Sequence, residues 1–323
     1  MPFRKRYLLY GFLLALVAFG FYANHRLKRF VTIQMDDEAF AAALERRSLD
    51  ADLGYVEGPS RTLRYLLVGQ DSSKPLTVFI HGAPSAGAWW LDMISDSSLL
   101  AATNMLAIDR PGYGGSGLGQ PMTSVEEQAE NIIEVIREVR LPDQDVILHG
   151  SSYGGTVSAR IAMDYPRTID GLLLQSASTA PLQEYTYWLT HPTSHWSLNW
   201  LVPKGVHTAN LEKLAHRKQL EAMSDEWGNI EASTVIVHGT KDWLIYPRNA
   251  YYACDKLTNA EVVIHHMVEG REHDLVWTAP DLLKSYLHRL IRRLDEGAGH
   301  VPAVTDSLRS APGLSASLRK ESR

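Results

Sequence analysis

The stretch Gly150-Ser151-Ser152-Tyr153-Gly154 places a serine between two glycines, each two positions away. Val146, Ile147 and Leu148 before it read as a buried strand, and a helix is expected from 153 to about 164, stopped by Pro166. A serine on so sharp a strand-to-helix turn needs small neighbours two positions off, and Gly150 and Gly154 meet that need around Ser152. Ser151 does not qualify, because His149 and Tyr153 flank it. The helix N-terminus behind the serine favours developing negative charge. A serine hydroxyl is a weak nucleophile at neutral pH and needs a base, itself held by a third group. His273 is the candidate base, in a loop after the last expected strand. Asp242 is the candidate acid, a short turn after the strand 234–237. The order serine, acid, histidine is the one that strand–elbow–helix enzymes carry. Acyl transfer also needs donors for an oxyanion. The N–H of Tyr153 is one candidate and that of Ala83, in His81-Gly82-Ala83-Pro84, is the other, since Pro84 has no N–H.

Other groups read less sharply. His81, His149 and His238 look like packing residues at strand ends, and His265 and His266 like structural residues at the end of another. Glu269, Glu272 and Asp274 solvate a loop. Gly112-Tyr113-Gly114-Gly115-Ser116-Gly117 fits the dinucleotide pattern G-x-G-x-x-G, but the next helix starts only near Thr123 or Ser124, after Gln120-Pro121, and no acid ends a second strand about twenty positions on. No H-E-x-x-H occurs, His191 and His195 bracket a proline, and Cys254 is alone, so neither a metal nor a cofactor is expected.

The elements that must position these residues follow from the pattern. Extended pieces around Gly58-Pro59, within 54–69, read as a hairpin. Short apolar runs follow at 76–80, 105–108, 146–148, 172–174, 235–237 and 262–264. Between them lie helical spacings, notably Val125, Ala129, Ile132, Ile133, Ile136 and Val139 behind a capping box at Thr123-Ser124-Val125-Glu126, and later segments near 248–256 and 281–294. Strands alternating with helices imply an α/β fold, a mostly parallel sheet covered on both faces with an antiparallel edge. Ser152, Asp242 and His273 then share the carboxyl rim of the sheet. Residues 181–228 separate two strands without one of their own and read as an inserted cap. They hold Tyr185, Tyr187, Trp188, Trp196, Trp200, Leu201 and Trp227; either these pack the insertion onto the core, or some of them face the cleft and wall a hydrophobic acyl or alcohol pocket.

The successive motifs resemble those of the α/β-hydrolase superfamily: His81-Gly82-Ala83-Pro84, the run 109–116 (DRPGYGGS), the Ser152 elbow, His238-Gly239-Thr240-Lys241-Asp242 and 270–273. The resemblance spans roughly 54–294. It implies an eight-stranded sheet with a helical cap inserted after the sixth strand. It does not fix the substrate, since esterases, lipases, peptidases, thioesterases, C–C hydrolases and lyases share the pattern. Serine at 152 argues against the haloalkane dehalogenase and epoxide hydrolase branches, which use aspartate there. The expected activity is hydrolysis of a carboxylic ester or related acyl bond through an acyl-serine. The alternatives are a peptidase or C–C hydrolase with the same triad, or a non-catalytic binding scaffold.

Composition bounds the rest. With 45% hydrophobic and 21% charged residues, the chain builds a core rather than a disordered coil. Arg4, Lys5, Arg6, Arg26, Lys28 and Arg29 are the only charges in 1–30; beyond them 26 basic residues face 37 acidic ones, a poor match for nucleic acid. The uncharged run 7–23, about 25 Å as a helix, is expected to be a single-pass membrane anchor, with a cleaved signal peptide as the rival. The slight excess of N-terminal charge puts the catalytic domain outside the cytoplasm. The expected layout is thus 1–30 anchor, 31–53 connector, 54–295 hydrolase domain with its cap at 181–228, and 296–323 flexible tail.

Overall fold

A computed structural model describes residues 3–26 and 33–296. Helix α1 (Phe3–Arg26) comes first and α2 (Asp37–Arg46) follows, capped by the Asp36 carboxylate on the Ala39 N–H. The hairpin strands β1 (Asp52–Glu57) and β2 (Thr62–Val68) precede β3 (Leu76–Ile80). A 3-10 turn Gly87–Trp90, α3 (Leu91–Ile94) and α4 (Ser97–Ala102) lead to β4 (Asn104–Ile108). Then come α5 (Val125–Val139), β5 (Val146–Ser151), α6 (Tyr153–Asp164) and β6 (Gly171–Gln175). Between β6 and β7 (Ser233–Gly239) lie α7 (Thr190–Ser194), a turn Asn199–Leu201, α8 (Lys204–Ala222) and a turn Trp227–Asn229. The chain closes with α9 (Arg248–Lys256), β8 (Val263–Val268), α10 (Leu275–Thr278) and α11 (Pro280–Asp295).

The eight strands form one sheet in the order β1-β2-β4-β3-β5-β6-β7-β8. β1 pairs with β2 and β2 with β4 antiparallel, and every other neighbour is parallel. This is the expected α/β architecture with its antiparallel edge. Alternation within buried strands shows why helices cover both faces: Leu76, Val78 and Ile80 enter one core cluster while Phe79 enters the other, and Val146 and Leu148 oppose Ile147 in the same way. α5 and α6 contribute to the first cluster, and α2, α4 and α11 to the second.

Three details differ from the sequence reading. The cap of α5 is one residue later than the expected box: Ser124 accepts from Glu127 N–H, which makes Val125 the first helical residue and buries it. β8 runs on to Val268, so His265 and His266 lie within it rather than at its end. Its residues are all half-buried at the sheet edge, so no continuous apolar run marks the strand. α3 and α4, of 4 and 6 residues, are too short to show a period.

The N-terminal expectation is corrected. Among the described residues no helix is long and apolar enough to cross a membrane. The uncharged run of α1 reaches only about 25 Å against a hydrocarbon core of about 30 Å. Three tyrosines and two glycines dilute it further. The single-pass anchor, the membrane as a partner through α1, and the extracytoplasmic domain that followed from them therefore fall. Lys28, Arg29 and the tail from 297 onward lie outside the described residues.

Candidate active site

β5 delivers Ser152 to the rim at φ 54° and ψ −121°, a left-handed backbone that L-residues seldom adopt. The strain is held by neighbours that leave no room for side chains. A Cβ on Gly154 would meet the carbonyl of Ile80, one on Gly150 the Ser158 hydroxyl, and one on Gly82 would stand 2.9 Å from Ser152 Cβ. Ser152 N–H donates to Gln175 O at 3.0 Å, tying the turn to β6. Ser151 is buried as the last residue of β5.

Asp242 sits three residues past β7 and is 3% exposed. Its Oδ1 accepts the N–H groups of Leu244 at 3.0 Å and Ile245 at 2.9 Å. Its Oδ2 accepts His273 Nδ1 at 2.8 Å and lies 3.3 Å from His238 Nε2. Burial by itself would raise the carboxyl pKa, but hydrogen bonds from the two histidines outweigh it and hold Asp242 well below the usual carboxylate range. His273 reaches this carboxylate from the loop after β8, which is fastened by Lys241 N–H to Arg271 O at 2.8 Å. With Nδ1–H committed to Asp242, Nε2 is the nitrogen left for a hydroxyl. Among the described residues no hydrogen bond joins Ser152 Oγ to His273. Such contacts are commonly long before substrate binds.

The loop carrying Ala83 is oriented by groups that sequence reasoning missed. Arg110 N–H donates to His81 Nε2 at 2.9 Å, so Nδ1 carries the proton and donates to Gly82 O at 2.7 Å. That carbonyl shares a planar peptide with the N–H of Ala83, which must therefore point the opposite way. Neither the Ala83 nor the Tyr153 N–H has a hydrogen-bond partner among the described residues. Burial and the neighbouring Arg110 charge keep His81 neutral. His81 and His238, read from sequence as packing residues, are thus hydrogen-bonding groups. Nothing local in the sequence marks them apart from their place one or a few residues ahead of Gly82 and Asp242.

The glycine-rich run is a loop. Gly112, Gly114 and Gly117 all have positive φ, and helix α5 starts only at Val125. Asp109 holds the run in place, accepting from Gly87 N–H at 2.6 Å, Gly115 N–H at 2.8 Å and the Arg64 guanidinium. No group of three metal-ligating side chains converges among the described residues.

The segment 181–228 turns a polar face inward. Glu212 and His216 of α8 are fully buried, and Lys213 Nζ meets Glu184 Oε1 at 2.7 Å. Trp188, Trp196 and Trp200 instead stand in solvent, and Trp227 is buried in the core against Tyr252, so these four do not form the expected pocket wall. The rings beside the rim are others. Tyr185, Tyr187 and Trp243 pack edge to face next to Asp242, and Trp89 packs on Trp277 at 5.4 Å between the Ala83 and His273 loops. A hollow of about 510 Å³ lined by Asp164, Arg167 and Asn229 lies at the far end of α6 from Ser152 and does not serve this site.

These features define a class. Residues 77–309 match the model of the alpha/beta hydrolase family, and the chain belongs to that family. A proline iminopeptidase, PfmaB, of Pestalotiopsis fici is 22% identical over 272 residues, which cover 69% of this chain and 95% of that one. The monoacylglycerol lipase ABHD6 of Homo sapiens is 25% identical over 130 residues, but those cover only 40% of this chain and 38% of the lipase. Among solved structures, a putative lipase from Acinetobacter baumannii superposes with a TM-score of 0.60 at 20% identity, over 80% of this chain and 97% of its own. A bacterial membrane phospholipase A superposes at 0.59 and 19% identity, over 91% and 100%. The protein is therefore a hydrolase of this superfamily, whose similar members here include lipases and a peptidase.

Proposed function

We propose that this protein is a serine hydrolase that cleaves a carboxylic ester, or a related acyl bond, of a small hydrophobic molecule. The observation that supports it most is the strained Ser152 on the same rim as a His273–Asp242 pair closed at 2.8 Å. Ser152 Oγ attacks the acyl carbon while His273 Nε2 takes its proton. Asp242 keeps the imidazole in the required tautomer and stabilises the imidazolium. The N–H groups of Ala83 and Tyr153 donate to the tetrahedral oxyanion. His273 then protonates the leaving alcohol, and water, deprotonated by the same nitrogen, releases the acid from the acyl-serine. Residues 181–228 act as the cap, and the Tyr185–Tyr187–Trp243 group and the Trp89–Trp277 pair supply the apolar walls.

Turnover of matched substrates by the full chain tests this reading. An aryl ester, an aminoacyl anilide with a free amine, and a vinylogous diketone offer the same serine three different bonds. Ester hydrolysis at least 10²-fold faster in kcat/KM than the other two is the expected result. Preference for the anilide or the diketone would replace the reading with a peptidase or a C–C hydrolase, and silence on all three would favour a binding scaffold.

A further inference from the structure

One side chain touches the supports of both proposed oxyanion donors. Arg110, fully buried two residues past β4, donates from Nε to the carbonyl of His81 at 2.8 Å, in addition to its N–H bond with the His81 ring. Its guanidinium carbon lies 4.7 Å from the ring centroid of Tyr153. His81 fixes the Gly82–Ala83 peptide, and Tyr153 opens α6 with the second N–H. Arg110 is in turn held from the segment between β6 and β7. Glu212 of α8 receives Nη1 at 2.7 Å and Nη2 at 3.2 Å, a two-pronged grip. Gln128 of α5 and the Tyr113 hydroxyl saturate the same carboxylate at 3.0 and 2.6 Å. His216, one turn along α8, stacks on Tyr153 at 4.6 Å.

We propose that Glu212, acting through Arg110, is a positioning residue that sets the two oxyanion donors when α8 is docked. This rests on the serine-hydrolase reading above. It adds that the cap does more than cover substrate: its buried carboxylate fixes the guanidinium against which the Ala83 loop and the Tyr153 turn are both braced. Neither residue touches the reacting atoms, so their loss acts on transition-state stabilisation and leaves ground-state binding nearly intact.

Removing one partner leaves the other charge buried and alone, which unfolds many proteins, whereas replacing both with apolar residues of similar volume is often neutral to stability. The test is therefore the paired variant Arg110→Met/Glu212→Leu in the full chain. With a short aryl ester, kcat is expected to fall about 10²-fold, of the order of losing one oxyanion donor, while KM stays within about threefold. Affinity for a trifluoromethyl ketone, whose adduct with Ser152 carries an oxyanion, is expected to fall in step with kcat. The acidic limb of the pH–rate profile stays in place because His273 and Asp242 are untouched. Arg110 Nη1 also donates to Gln128 Oε1 at 2.7 Å; should the pair not fold, Arg110→Lys keeps a charge beside Glu212 but cannot reach His81 and Gln128 together, and the same split is expected. A kcat within about threefold of wild type in a folded variant, or a rise in KM alone, would overturn the inference. Wild-type protein that hydrolyses no ester and takes no ketone would instead overturn the serine-hydrolase reading.

Discussion

Ser152, Asp242 and His273 occupy strand ends because the chain leaves them no alternative: glycines crowd the first, a turn after β7 holds the second, and the loop after β8 brings the third within 2.8 Å of it. If the three act as a unit, Ser152→Ala and His273→Ala each cost roughly 10⁴- to 10⁶-fold in kcat and Asp242→Asn about 10⁴, without adding in combination. Ser152→Ala retaining a tenth of wild-type turnover would remove it as nucleophile. His238 supplies a further expectation. Its Nε2 lies 2.8 Å from Ile245 O and 3.3 Å from Asp242 Oδ2, so it steadies the same carboxylate oxygen that His273 holds. His238→Phe keeps the packing and removes that contact, and kcat is expected to drop about tenfold, the worth of one hydrogen bond of about 1.4 kcal/mol. An unchanged kcat would return His238 to a packing role. The positions of the three residues were legible because strand-end placement and glycine spacing are local signals. The hydrogen-bond partners of His81 and His238 were not, because a partner across a loop leaves no period in the sequence.

At the scale of elements, the long amphipathic helices and buried strands were legible and the short or half-buried pieces were not. α11 buries Leu283, Leu287, Leu290 and Ile291 at helical spacing and starts on a proline, both plain in sequence. α4 shows neither signal, yet it is firmly started: the Asp96 carboxylate accepts the N–H groups of Ser98 and Leu99 and meets Lys284 of α11 at 2.9 Å. Partial burial pushes its pKa up, but the Ser98 and Lys284 hydrogen bonds prevail and bring it down to about 2. A carboxylate depressed in the folded state stabilises it above the unfolded pKa and loses that contribution as pH falls through the folded one. The stability gap between wild type and Asp96→Asn, from urea unfolding, is therefore expected to be constant above about pH 5 and to close between about pH 4 and pH 2. A gap that persists at pH 2 would show that the charge is not what starts α4. The Arg110–Glu212 pair illustrates the limit of local reading. Its members stand on β4's exit and on α8, 102 residues apart, and each alone resembles a surface charge.

For the whole molecule, the sheet order follows from strand–helix alternation, whereas the inner face of 181–228 does not follow from its aromatic content. Some of those rings were expected to line a pocket, but Trp188 and Trp196 are 75% and 79% exposed while Glu212 and His216 are buried inward. Of the rings expected there, Tyr185 and Tyr187 do pack together beside Asp242, joined by Trp243 from outside the segment, and these are the apolar walls of the proposed site. Each methylene that such a wall buries is worth about 0.8 kcal/mol, nearly fourfold in kcat/KM. A rise from acetate through butyrate to hexanoate esters is thus expected, flattened by Trp243→Ala and unaffected by Trp196→Ala. A steady fall with chain length in wild type would place the acyl group elsewhere.

Whether Ser152 forms a covalent acyl-type adduct is measured most directly by peptide mass spectrometry after treatment with a fluorophosphonate. One phosphonyl group on the peptide containing Ser152, absent in Ser152→Ala and lost in step with esterase activity, is the predicted result. Ester turnover that persists in fully labelled protein, or a label on another residue with Ser152 unmodified, would contradict the account.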